Sequence, residues 1–166
     1  IAIADASLAD IGNVLSRLAE LAEQSANGTF SVTQRSALQN EFTALGSEVE
    51  RIATTTEFNG VKLLSGNNNL VLQVGFNSES TSQIAFNGVQ GTLASLGLAQ
   101  QNASALTFSL NGVNLSEGAS ASRLALDAVN RAVASLASTR GVLGAAESRL
   151  KVAISNLSIS RENLSA

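Results

Sequence analysis

The 166-residue chain contains no cysteine, histidine, proline, methionine, tryptophan or tyrosine, and only six phenylalanines. Without cysteine there is no disulfide, no thiol nucleophile and no cysteine-ligated zinc. Without histidine the commonest general base and transition-metal ligand is missing. Catalysis would have to rest on carboxylates, lysine, arginine, serine or threonine, so no enzyme is expected. Net charge is −3, with both signs scattered. No basic block is interleaved with aromatics, which argues against nucleic-acid binding. No apolar run approaches the roughly 18 residues of a membrane span, and no signal-peptide pattern opens the chain, so membrane insertion is not expected. The carboxylates Asp5, Asp10, Glu48, Glu50, Glu57, Glu79 and Glu117 have no metal-ligand spacing, and there is no phosphate-binding glycine motif. They read as surface charges, and neither a metal nor a cofactor is expected.

What is present is concentrated in the last third. Val129, Leu136, Leu143, Leu150, Leu157 and Leu164 recur every seventh residue. Three residues after the first five come Ala132, Thr139, Ala146, Ala153 and Ser160, all small. A large apolar ladder beside a small one is an a/d seam, here sustained over about five heptads. The pattern predicts a helix over 117–166, about 75 Å long at roughly 1.5 Å per residue. So narrow a seam needs other helices beside it. Gly141 and Gly144 lie inside this helix, where each costs about 1 kcal/mol relative to alanine. Close packing of a neighbouring helix is the expected reason.

The start of the chain supplies those neighbours. Ile1, Leu8, Ile11, Val14, Leu15, Leu18, Leu21 and Ala22 have helical spacing over 1–26, and Asn27-Gly28 closes the segment. Ser31-x-x-Gln34 fits a capping box at the head of a second helix over 31–55. There Leu38, Phe42, Leu45, Val49 and Ile52 form another seam, which fades at Thr54-Thr55-Thr56. The short loop predicts antiparallel neighbours.

Between 57 and 115 the period changes to that of strands and turns. Phe58-Asn59-Gly60-Val61 carries the Asn-Gly hairpin signal. Leu70–Val74 and Gln83–Phe86 read as strands, and Thr92–Leu98 as a helical turn closed by Gly97. Ala99–Ser104 reads as a linker, and Leu106–Leu115 as a compact hairpin about Asn111-Gly112. Ser116 or Ser120 is the expected cap of the long helix. The fold class expected is therefore mainly α: a long-helix antiparallel bundle, or rod, over 1–166 with a small β-hairpin region mid-chain. The apolar period is already running at Ile1 and still in phase at Leu164, so both ends read as cut through helices.

Several stretches in the same order resemble bacterial flagellin. Leu15-Ser-Arg-Leu-Ala-Glu-Leu-Ala-Glu-Gln-Ser-Ala-Asn27 resembles the family's amino-terminal motif L-x-R-x-x-E-L-A-x-Q-x-A-N. Glu57-Phe-Asn-Gly-Val-Lys-Leu-Leu64 is similar to its Q/E-F-N-G-x-K-L-L turn. Thr139-Arg-Gly-Val-Leu-Gly-Ala-Ala-Glu-Ser-Arg-Leu150 resembles its carboxy-terminal signature, with Ser148 where the family usually has asparagine.

The resemblance implies a core rod domain lacking the flanking helices of the innermost filament tube. It also implies an extracellular structural subunit of the flagellar filament, exported through the flagellar apparatus without a cleaved signal peptide and assembled with copies of itself for motility. In some members it implies recognition by Toll-like receptor 5. The matching interface residues are Arg17, Leu21 and Gln24 on the first helix and Glu41 on the second, with Glu20 beside them; Arg17 also reads as an exposed charge paired with Glu20, and Leu21 fits the core equally well. Ser16 and Ala19 stand where receptor-binding members usually carry glutamine and arginine. Arg140 and Glu147, seven apart on the flank of the ladder, read either as a solvated flank that sets helix partners or as a contact to a neighbouring subunit. The alternative is a cell-surface adhesin or polysaccharide-binding protein built on the same scaffold.

Overall fold

The computed structural model describes residues 2–27, 29–66, 70–73, 83–86, 89–111 and 115–165. Three helices dominate it: α1 (Ala2–Ala26), α2 (Val32–Thr55) and α3 (Leu115–Ser165). Two small antiparallel pairs lie between α2 and α3: β1 (Glu57–Phe58) with β2 (Val61–Lys62), and β3 (Leu70–Gln73) with β4 (Gln83–Phe86). The mainly helical class and the mid-chain hairpins are as the sequence predicts.

Helix α1 is the centre of the rod. Ala4, Leu8, Ile11, Leu15, Leu18, Leu21, Ala22 and Ser25 are buried. Its exposed residues reduce largely to a narrow line through Ala6, Asp10, Asn13, Ser16, Glu20 and Glu23. Two partners account for this wide apolar surface: α1 packs on both α2 and α3, whereas α2 and α3 touch each other little. Both run antiparallel to it: Arg17 meets Glu41 and Ser25 meets Arg35 on α2, while Asp5 meets Arg140 and Ser25 meets Ser122 on α3.

The turn between α1 and α2 follows local chemistry. The Ser31 side chain accepts a hydrogen bond from the Gln34 N–H (3.1 Å), and the Gln34 carboxamide accepts one from the Ser31 N–H (2.8 Å). The predicted capping box therefore forms. The Asn59-Gly60 turn forms too, with φ of 52° and 79° and Phe58 opposite Val61. Both central residues are left-handed, as a primed hairpin turn requires. Strands β3 and β4 pair in register Leu70 to Phe86 through Gln73 to Gln83.

The three seams do not close on one another as expected. The space between α2 and α3 is instead filled by the irregular segment 89–111. Leu93, Leu96, Leu98 and Leu110 are buried, and Leu106 and Phe108 pack partly against the same core. Two glycines permit this close approach. A Cβ on Gly91 would lie 2.9 Å from the Ile11 side chain, and one on Gly46 would collide with Leu106. The predicted turn at 92–97 is present, with Leu98 N–H donating to the Leu93 carbonyl (2.8 Å) and Gly97 at φ 79°. The strand expected over Leu106–Leu110 has no ladder partner among the described residues, and the turn of the expected hairpin lies outside them. Leu110 N–H donates instead to the Gln39 carboxamide (2.6 Å).

Helix α3 starts two residues before the expected position, so Ser116 and Ser120 lie within it and not at its cap. Its seam is buried at Val129, Ala132, Leu136, Leu143 and Ala146. Leu150 and Leu157 are only half-buried, and Leu164 is 84% exposed. The expected core ladder thus ends about two heptads early. The reason is geometric: the Asp5–Arg140 contact places the start of α1 near Leu143, so no described helix covers the later seam. Gly141 and Gly144 are a second correction. A Cβ on either would meet nothing within 4 Å, so close packing inside this chain does not explain them.

Candidate functional site

The predicted interface residues of α1 and α2 converge on one arginine. Arg17 donates through Nε and Nη2 to the two carboxylate oxygens of Glu41 (2.9 and 3.2 Å) and through Nη1 to Glu20 (3.0 Å). The helical i, i+3 spacing places Glu20 beside Arg17, and the antiparallel register of α2 brings Glu41 across. The fork to Glu41, then that to Glu20, raises the guanidinium pKa above its ordinary value. Gln24 is exposed further along α1. Leu21, whose place in the apolar stripe allows core and interface equally, is fully buried and belongs to the core.

Arg140 does not stand free on its helix. Its Nε donates to Asp5 (3.1 Å), and this hydrogen bond raises the guanidinium pKa. A similar fork joins Arg51 to Glu48 within α2, with Nε to carboxylate at 2.8 Å. It holds the Glu48 carboxyl below its usual range. Two of the rod's surface ion pairs tie α1 to its neighbours.

Sequence reasoning missed the polar knot at the other end of α1. Arg35, in the first turn of α2, is 1% exposed. It donates to the carbonyls of Ser25 (2.8 Å) and Asn27 (3.1 Å) at the C-terminus of α1. A cation there satisfies carbonyls that the helix leaves open and complements its dipole. The Ser122 hydroxyl on α3 lies 2.7 Å from that of Ser25 and also reaches the Leu110 carbonyl. Gly118 makes room, since a Cβ there would sit 2.8 Å from Arg35 Cδ. One arginine after a capping serine gives no signal of burial, because only the crossing of three elements produces it.

Glu50 reads in the sequence as a plain surface charge, and the structure gives it a further role. Its carboxylate accepts the Leu93 N–H (2.8 Å) and so anchors the 92–97 turn on α2. It borders an open groove of about 810 Å³ between α2 and the 90–104 segment, lined mainly by serine, threonine, asparagine and glutamine. Among the described residues no three acidic side chains gather as a metal site, and no helix is long and apolar enough to cross a membrane.

Comparison with known proteins gives the arrangement its context. Residues 1–69 match the model of the bacterial flagellin N-terminal helical region. The chain is 35% identical over 164 residues to a flagellin of Halalkalibacterium halodurans, covering 98% of this chain and 56% of that protein. It is 31% identical over 173 residues to the flagellar filament 33 kDa core protein of Treponema phagedenis, covering 100% of this chain and 59% of that protein. The chain thus spans little more than half the length of these relatives. The crystal structure of Bacillus cereus flagellin superposes with a TM-score of 0.72 at 24% identity, covering 93% of this chain and 81% of that one. That likeness carries the fold, and the sequence matches carry the kinship. The chain is thus similar to flagellins along almost its whole length, and its first 69 residues match the flagellin N-terminal helical region.

Proposed function

We propose that this chain is the core rod of a structural subunit of the bacterial flagellar filament. The observation that carries this reading is the extent of the likeness, which runs through all three helices and is not confined to one motif. The rod geometry suits such a role. Its surface is built from long helix faces, which suit side-by-side stacking under helical symmetry through many modest contacts. The partners on this reading are other copies of the subunit and the export apparatus that delivers it outside the cell. The test is deletion of the encoding gene, with electron microscopy and motility as readouts. Loss of filaments, restored by the intact gene, is expected. Unaltered filaments and swimming, or restored surface binding of glycans without restored filaments, would favour the adhesin reading.

A second role attaches to the Arg17 cluster. Arg17, Glu20 and Glu41 share one exposed face with Gln24, which suits recognition by Toll-like receptor 5. Binding of the receptor ectodomain should fall at least tenfold on Arg17→Ala. Absence of binding by the parent protein would end this reading and leave the filament role untouched.

A further inference from the structure

The side of α3 opposite its buried seam differs in character from the rest of the rod. Ser138, Gly141, Ala145, Ser148, Val152 and Ile159 follow one another at helical spacings, and all are exposed. Val152 and Ile159 leave 61% and 54% of their surface in solvent, and nearby Val142 leaves 51%. Gly141 and Gly144 sit in this stretch, where an added Cβ would meet nothing within 4 Å among the described residues. The charges bordering the face are mostly cationic: Arg131, Arg149 and Lys151, with Glu147 near Lys151 and Asp127 one turn before Arg131. Residues 115–166 carry six cations and four carboxylates, a net charge of +2.

The far side of the rod has the opposite character. Residues 1–57 carry eight carboxylates and three arginines, a net charge of −5. Asp10, Glu20, Glu23 and Glu41 are exposed there with Arg17 between Glu20 and Glu41, beside the outward line Ala37, Asn40, Ala44 and Ser47 of α2, which ends at the Arg51–Glu48 pair. Two α3 faces brought together would set cations against cations. An α3 face set on an α1–α2 face pairs opposite signs and buries the exposed valines against small side chains. Glycine at 141 and 144 lets the partner backbone come close.

We propose that the outward face of α3 docks onto the acidic α1–α2 face of a second copy of this chain, as a heterologous, head-to-tail contact. This inference rests on the filament reading and names the two surfaces that meet. Because the surfaces differ, each copy keeps one free after pairing, so the contact propagates and does not close as a dimer. Its charge complementarity makes it sensitive to salt.

The cysteine-free chain makes the test clean. Ser47→Cys places a thiol on the outward line of α2, and Ser148→Cys places one on the outward face of α3. Filaments of full-length protein carrying both substitutions should give a ladder of oligomers with a flexible bis-maleimide. Filaments of either single variant should give almost none. In solution, a concentrated mixture of the two single variants of this chain should cross-link several-fold more than either alone, and Arg149→Glu or high salt should remove most of the excess. Dimers from Ser148→Cys alone would show a symmetric α3 contact and overturn the proposal. So would intact filaments of the double variant that yield no ladder, or a mixture no better than its components. Failure of the parent gene to support filaments would instead count against the filament reading, and the solution mixture would still decide the contact.

Discussion

Arg35 shows how much one side chain can hold. It is buried at the meeting of α1, α2 and α3 and satisfies carbonyls of Ser25 and Asn27. Truncating a buried, charge-assisted donor leaves those carbonyls open, so Arg35→Met should lower stability by about 3 kcal/mol in a denaturant titration. The glycines of α3 act in the opposite sense. Gly141 and Gly144 face open space, so Gly144→Ala should raise stability by about 1 kcal/mol, visible as a higher melting temperature. Glu48 gives a pH signature. Its pKa is held below the ordinary carboxylate value by Arg51, so its contribution is present at neutral pH. That contribution is lost as pH falls below the unfolded-state value and through the depressed one. In Glu48→Gln that part of the acid dependence should be absent. Both groups are solvent-exposed, so the difference is expected to be small.

Among the elements, α3 is two helices in one. Its first part, to Ala146, is sealed by α1, and its last part continues the same heptads without a described partner. Leu143→Ala should therefore cost about 2–5 kcal/mol, whereas Leu164→Ala should leave the melting temperature of this chain nearly unchanged. Equal losses at both positions would show that the later seam is covered after all. The heptad pattern is legible from residue spacing because it is a property of the helix itself. Where the seam stops being core is not legible, because that depends on which helix lies alongside and how far it reaches. The capping box and the Asn59-Gly60 turn are legible in full. Each is made by residues within four positions of one another, so neither needs a distant contact to form.

For the whole molecule, the order of packing matters more than the number of helices. Helix α1 lies between α2 and α3, and segment 89–111 runs along the remaining gap with Leu93, Leu98 and Leu110 in the core. That segment carries little periodicity, which is why its polar stretch reads as a linker and its end as a hairpin. Its structure is dictated by the groove it fills and by two side chains of α2, Gln39 and Glu50, that take its amides. Hydrogen exchange should report this architecture. Amides of α3 between Ala119 and Ala146 are expected to open only with global unfolding, whereas those beyond Leu150 should exchange by local opening. Slow exchange there in the isolated chain would contradict the exposed seam.

Residue order alone dictates the helical class, the positions of the three helices to within a few residues, the local turns, and the kinship visible in ordered motifs. All of these follow from periodicity and short-range chemistry. Three-dimensional packing was needed to bury Arg35 and Ser122 in one knot and to tie Arg140 to Asp5. It also turns the glycines of α3 outward. Each of those outcomes depends on which surface of one helix meets which surface of another, and a crossing of that kind leaves no mark in local residue spacing.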